Sequence, residues 1–187
     1  MNGSYDLAIK FSNALLRASK EATSGGDRDW QTRIELLAHG GLTLSFLFLG
    51  DGVTALAHAQ TYTVAAAKLK NPEAIGRGMG NEGCCYQLLG DLDAAMRCHR
   101  RRRQMAQEMG DRAAEGRSLG NLGVCHMANG KPKQAAMHFR DRLKLAQEIC
   151  DADGIQSAYH NLGVLAVQSL HKGETTVIEM EEAAGDK

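Results

Sequence analysis

Proline and aromatic residues are scarce in this sequence, and it has no long uninterrupted apolar run. Only 2 of its 187 residues are proline and 5% are aromatic, whereas 21 are glycine. Few prolines leave helices unbroken, and few aromatics leave small and aliphatic side chains to form close helix contacts. The most apolar run, residues 42–49, is far too short to span a bilayer, so we expect no membrane insertion.

Net charge and cysteine content indicate which partners and which cellular compartment the sequence favours. The 22 basic and 22 acidic residues cancel, which removes the simplest argument for binding nucleic acid or an anionic membrane. The five cysteines are odd in number and lie inside helical patterns, which favours a reduced, intracellular protein with buried thiols. The N-terminus lacks the basic-then-apolar order of a signal peptide. We therefore expect a cytoplasmic protein.

A short phrase recurs at a fixed distance along the chain. Asn81, Asn121 and Asn161 are spaced by forty residues, and each is followed two residues later by glycine. Gly50, Gly90 and Gly130 keep the same step. A fixed period of this size is the mark of a repeat array in which each unit stacks on its neighbours.

Apolar spacing and turn residues predict helices throughout the array. We expect the second helix of a unit at 3–22, with apolar positions 5, 8, 9, 11, 15 and 16, and the first helix of a further unit at 152–170. Between them lie helix pairs over 31–70, 73–109 and 112–149, so the array spans 3–170. The acidic tail, 171–187, is expected to be disordered, with folding back into a basic groove as the alternative.

The internal pattern of the units resembles the tetratricopeptide repeat (TPR). Leu122-Gly123, Gly130, Ala135 and Phe139 match its offsets, as do residues 83, 86, 90 and 95 one unit earlier. The period resembles the long, forty-residue class of Pins-type (Leu-Gly-Asn) regulators of G-protein signalling, kinesin light chains and rapsyn. Residues 110–123 look like a Pins-type repeat junction. The resemblance implies an all-α fold, an α-solenoid of stacked antiparallel helix-turn-helix hairpins.

The sequence departs from this pattern in three places. Gly41 stands where later units have asparagine, and Asp151-Ala152-Asp153 replaces the Gly-Asp-Arg of the junction. The array also starts on a second helix and ends on a first helix. We therefore expect a fragment or truncated form of a longer array, whose uncapped ends favour marginal stability or self-association.

The resemblance places a peptide-binding groove on the first helices of the units. Arg77 and Arg117 each lie four residues before an asparagine, hence on the same helix face. Asparagine amides pair with an extended backbone, and arginine forms a fork for a carboxylate. In the Pins-type family such residues hold acidic extended peptides; the alternative is that the asparagines only tie helices together. The candidate groove residues are Arg77, Asn81, Cys84, Gln87, Arg117, Asn121, Val124, Asn161 and Val164.

Other constellations favour neither a catalytic nor a metal site. The run from His99 to Arg103 points in several directions on a helix and is expected to be a solvated convex face, not a nucleic-acid site. Adjacent Cys84 and Cys85 lack the spacing of zinc ligands. No nucleophile, acid–base or phosphate-loop motif is recognisable, so we expect no enzyme, no cofactor and no metal.

Together these features predict a non-catalytic protein–protein interaction scaffold or adaptor. Its groove would bind a protein or peptide partner through an extended, acidic segment. Two alternatives stay open. One is a self-associating structural repeat module, and the other is a regulatory or adaptor piece of a larger motor or signalling complex.

Overall fold

The structure, a computed structural model, describes residues 3–21 and 28–171. Within these ranges the chain is all-α, without a strand, and consecutive helices pack in the hairpin pattern of an α-solenoid, as predicted. The helices are α1 (Gly3–Glu21), α2 (Arg28–Leu49), α3 (Gly52–Lys68), α4 (Pro72–Leu89), α5 (Leu92–Met109), α6 (Arg112–Ala128), α7 (Pro132–Glu148) and α8 (Ala152–His171). Residues 172–187, almost all of the predicted acidic tail, lie outside the described ranges.

The chain divides into two compact units between Arg102 and Arg103, inside α5. In unit 1, which ends at Arg102, α2 packs on α1, α3 and α4, and α3 packs on α4. In unit 2, which starts at Arg103, α7 packs between α6 and α8, and α6 also contacts α8. The assignment of individual repeats, including their boundaries, stays a prediction.

Local residues determine where each helix begins and ends. Asp51 Oδ1 accepts a hydrogen bond from the Thr54 amide at 3.0 Å, and Asp91 and Asp111 cap α5 and α6 in the same way. Gly50, Gly90, Gly110 and Gly130 end helices with φ between 67° and 82°. This left-handed conformation favours glycine, because a side chain would be strained there.

The core of unit 1 includes a cluster of small residues and a buried histidine. Ala55, Ala59 and Cys85 are fully buried. His99 of α5 is also fully buried and lies over Gly83 of α4, where an added Cβ would come within 2.7 Å of the His99 Nε2. The prediction of a solvated face for residues 99–103 was therefore wrong at His99, because α4 leaves room for the ring.

The core of unit 2 repeats this arrangement with a phenylalanine. Phe139 of α7 is fully buried with Ala135, Ala136 and Leu165, and its ring lies over Gly123 of α6. Gly123 and Phe139 each follow Gly83 and His99 by forty residues. The same helix contact thus occurs in both units, with histidine in one and phenylalanine in the other.

Candidate functional site

A cleft of about 280 Å³ opens in unit 1 between α2 and α4. The α2 side is apolar, with Leu36, Leu37 and Leu44, and the α4 side carries Arg77 and Asn81. Both of these polar residues were predicted from the sequence to bind a peptide. The complete lining is Leu36, Leu37, Gly40, Gly41, Leu44, Tyr62, Asn71, Glu73, Ala74, Arg77 and Asn81.

Tyr62 of α3 reaches this cleft through two glycines. A Cβ added at Gly40 of α2 would lie 3.1 Å from the Tyr62 ring, and one at Gly78 of α4 would lie 3.0 Å from it. Burial raises the pKa of Tyr62, while the charge of Arg77 and a side-chain hydrogen bond from it act in the opposite direction. Because these two glycines have no side chain, Tyr62 of α3 can place its hydroxyl beside Arg77.

Arg77 is held by a neighbouring carboxylate. Its Nη2 lies 2.7 Å from Glu73 Oε1, four residues earlier on α4, and both side chains are mostly exposed. An exposed pair of this kind contributes little, about 0.3–0.5 kcal/mol. A carboxylate from a partner therefore has only a weak internal competitor for the guanidinium.

Two other predicted residues of α4 do not line the cleft. The Gln87 Oε1 lies 3.2 Å from His99 Nε2 of α5. Cys84 is half-buried, and burial raises the pKa of its thiol, although the charge of Arg102 acts in the opposite direction. Both side chains are therefore engaged with α5 on another side of α4.

Unit 2 brings the remaining predicted residues onto two helices that touch. Arg117 and Asn121 lie on α6, and Asn161 and Val164 lie on α8. Arg117 is exposed, and the other three are half-buried. Val124, predicted as groove floor, packs against the Phe139 cluster.

Arg142 of α7 adds a second guanidinium near Arg117. Its side chain crosses α6 at Gly120, where an added Cβ would lie 3.0 Å from the Arg142 Cδ. Burial lowers the pKa of Arg142, as does the nearby charge of Arg117, while Asp151 acts in the opposite direction. The two arginines therefore lie near one another, and Asp151 offsets part of their positive charge.

Sequence reasoning missed Tyr62 and Arg142, although a signal for both is present. Gly40, Gly80 and Gly120 recur every forty residues, and each meets the residue 22 positions later: Tyr62, Arg102 and Arg142. The glycines recur at a fixed period, but their partners differ in charge and shape, one tyrosine and two arginines. Only the packing of paired helices connects them.

A buried carboxylate organises the polar contacts of unit 2. Glu115 is 5% exposed, and its Oε1 accepts a hydrogen bond from Gln107 at 2.6 Å. Arg112 donates to its Oε2 at 3.1 Å, and Arg103 Nε lies 3.6 Å from its Oε1. Arg112 also donates to Glu148 of α7 at 2.7 Å. The arginine of the junction motif therefore joins α6 to α7.

Metal-ligating side chains are scattered in the described structure. Among residues 3–21 and 28–171, no three His, Cys, Asp or Glu side chains are grouped to hold a metal ion. None of the described helices combines the length and the apolar character needed to cross a membrane.

The fold is similar to that of helical repeat proteins of the TPR type. BtubC (BKLC) from P. vanneervenii is similar to this chain with a TM-score of 0.70 and 16% identity, over 88% of this chain and 66% of that one. Aspartyl phosphate phosphatase F from Bacillus subtilis gives 0.65 and 15%, over 92% of this chain and 52% of that one. This chain thus spans only part of the length of both.

No protein-family model and no curated protein sequence matches the chain. Identities of 15% and 16% support the shared fold and nothing about ligands. The likeness to a TPR-type fold is therefore shown, while membership of the Pins-type class stays a prediction.

Proposed function

We propose that this protein is a non-catalytic interaction scaffold that binds an extended, acidic segment of a partner protein. The observation that carries this proposal is the cleft of unit 1, which sets the Arg77 guanidinium and the Asn81 amide opposite three leucines. A TPR-type fold supports the same class of function, because such repeats present extended surfaces to other proteins.

The two sides of the cleft suit different side chains of one ligand. In an extended peptide, successive side chains point to opposite sides. A segment in which acidic and apolar residues alternate would direct carboxylates toward α4 and apolar groups toward α2. Arg77 would bind a carboxylate, Asn81 the peptide backbone, and the leucines the apolar side chains.

Unit 2 offers a second anion-binding surface that we propose for the same kind of segment. Arg117 and Arg142, whose positive charges lie near one another, would bind a carboxylate of the segment in competition with Asp151. Asn121 and Asn161, on packed helices, would bind the backbone of the ligand. We keep the cytoplasm as the compartment, because none of the five cysteines forms a disulfide.

A defined peptide tests the proposal. The probe is a fluorescein-labelled peptide of about 12 residues in which glutamate and leucine alternate, and its binding is followed by fluorescence anisotropy. Peptides with glutamine or lysine in place of glutamate show whether negative charge is required. We expect binding of the glutamate peptide alone, and weaker binding at higher salt, since exposed charges are screened.

Variants locate the binding surface. We expect the double variant Arg77→Ala/Asn81→Ala to weaken peptide binding by about tenfold. The double variant Arg117→Ala/Asn121→Ala is expected to weaken peptide binding at unit 2. Arg97→Ala, which removes an exposed arginine of α5, is the matched control. Wild-type affinity in both double variants, with unchanged helicity by circular dichroism, would rule out these surfaces.

A further inference from the structure

The last described helix carries an apolar face that nothing in the described chain covers. Tyr159, Gly163, Val167 and Leu170 are spaced at intervals of four, four and three, which puts them on one side of α8. All four are exposed, and the Leu170 side chain is 62% accessible. We call this face the α8 groove.

Gly163 forms an open notch in the α8 groove. It follows Gly83 and Gly123 by the repeat step, and those two glycines are covered by the rings of His99 and Phe139. A Cβ added at Gly123 would lie 2.6 Å from the Phe139 Cδ1, whereas one at Gly163 would meet nothing within 4 Å. The notch therefore has the backbone geometry that receives an aromatic ring from a neighbouring helix, and no residue of 3–21 or 28–171 fills it.

The first described helix carries a face that complements this notch. Leu7, Phe11, Ala14 and Ala18 lie on one side of α1, all exposed, while the opposite side packs on α2. Phe11 is 65% exposed, although its spacing predicted burial. The two alanines, both on the C-terminal side of Phe11, allow another helix to approach α1 closely there.

We propose that α1 of a second copy of this chain docks in the α8 groove, with Phe11 in the notch at Gly163. The same contact, a ring over glycine between paired helices, already occurs within each unit. Residues 172–187 contain no aromatic side chain, so these 16 residues cannot supply the ring. The second copy can, because its α1 presents one.

This contact joins two different surfaces, so it is heterologous. Such an interface leaves one α1 face and one α8 groove open at the ends of every assembly, and it generates chains of copies when it does not close. The prediction is an average mass that increases continuously with concentration. The inference does not depend on the proposed peptide binding, because none of the cleft residues takes part.

Single substitutions on either surface test the contact by sedimentation velocity. Phe11→Ser removes the ring, and Gly163→Leu fills the notch without straining a helical backbone. Each variant alone is expected to raise the dissociation constant by at least about tenfold, as for a buried anchor residue. Val64→Ser removes an equally exposed apolar side chain from α3 and is expected to associate like wild type.

Mixing the two variants separates this contact from the alternatives. The Phe11→Ser copy retains its α8 groove and the Gly163→Leu copy retains its α1 face, so the mixture is expected to form a one-to-one dimer. A symmetric α8–α8 contact would instead leave Phe11→Ser fully associated. That result, a mixture that stays monomeric, or a wild-type chain that is monomeric at all concentrations would overturn the proposal.

Discussion

His99 allows a stability prediction with a definite dependence on pH. The imidazole is fully buried, its Nδ1 has no hydrogen-bond partner in the described structure, and its Nε2 lies near Gln87. Burial, followed by the charge of Arg102, lowers the pKa of His99 from 6.5 to about 4. The substitution His99→Phe replaces this ring with the one that occupies the same position in unit 2.

The sign of the effect follows from proton binding. Between pH 6.5 and 4 the unfolded chain binds a proton at His99 and the folded chain does not, so folding loses stability as pH falls through this range. At pH 5 the loss is about 2 kcal/mol relative to pH 7.5. His39 and His58, whose pKa values are also lowered by burial, add to it in the same direction.

Substitution by phenylalanine removes the His99 contribution at every pH. At pH 7.5 it relieves the unpaired Nδ1 and gains apolar burial, for a net gain of about 1 kcal/mol. At pH 5 the gain is expected to increase to about 3 kcal/mol, since the variant no longer has this proton to exclude. The quantity to measure is therefore the change, from pH 7.5 to pH 5, in the difference in unfolding free energy between His99→Phe and wild type.

Urea unfolding followed by tryptophan fluorescence measures this difference in unit 1. Trp30 of α2 is the single tryptophan of the chain and lies in the same unit as His99. His160→Phe, a change at an exposed position of α8, is the control and is expected to keep the wild-type pH dependence. A difference between wild type and His99→Phe that is equal at pH 7.5 and pH 5 would refute the reasoning.

Three further predictions concern a helix end, a buried carboxylate and the cleft. Lys70→Gly is expected to stabilise unit 1 by about 0.5–1 kcal/mol in urea unfolding, because Lys70 has φ 51°, a left-handed conformation that favours glycine. The control Lys68→Gly lies inside α3 and is expected to destabilise the unit. Glu115→Ala is expected to cost about 3 kcal/mol, seen as faster amide exchange in α6, whereas a loss no larger than that of an exposed glutamate would contradict it. Glu73→Gln is expected to tighten binding of the glutamate–leucine peptide by about twofold, since it releases Arg77. Weaker binding would contradict the proposed carboxylate contact.

The sequence predicts those parts of the candidate site in which the relative position of two residues is determined by a single helix. Arg77 and Asn81 are four apart on one helix, so their common face follows from helix geometry alone, and both line the cleft. Gln87 and Val124 were placed by the same argument, yet they pack against other helices. Helix geometry says which residues share a face, but not which neighbouring helix covers that face.

Fold class, helix ends and the forty-residue step were determined by the sequence itself. Capping aspartates, left-handed glycines and apolar spacing involve residues within about four positions of one another, so they can be recognised in the sequence. The tertiary structure decided that His99 is buried, that Tyr62 enters the cleft and that Phe11 is exposed. Each of these depends on a partner helix many residues away in the chain, because burial is determined by what packs on a face, not by the face alone.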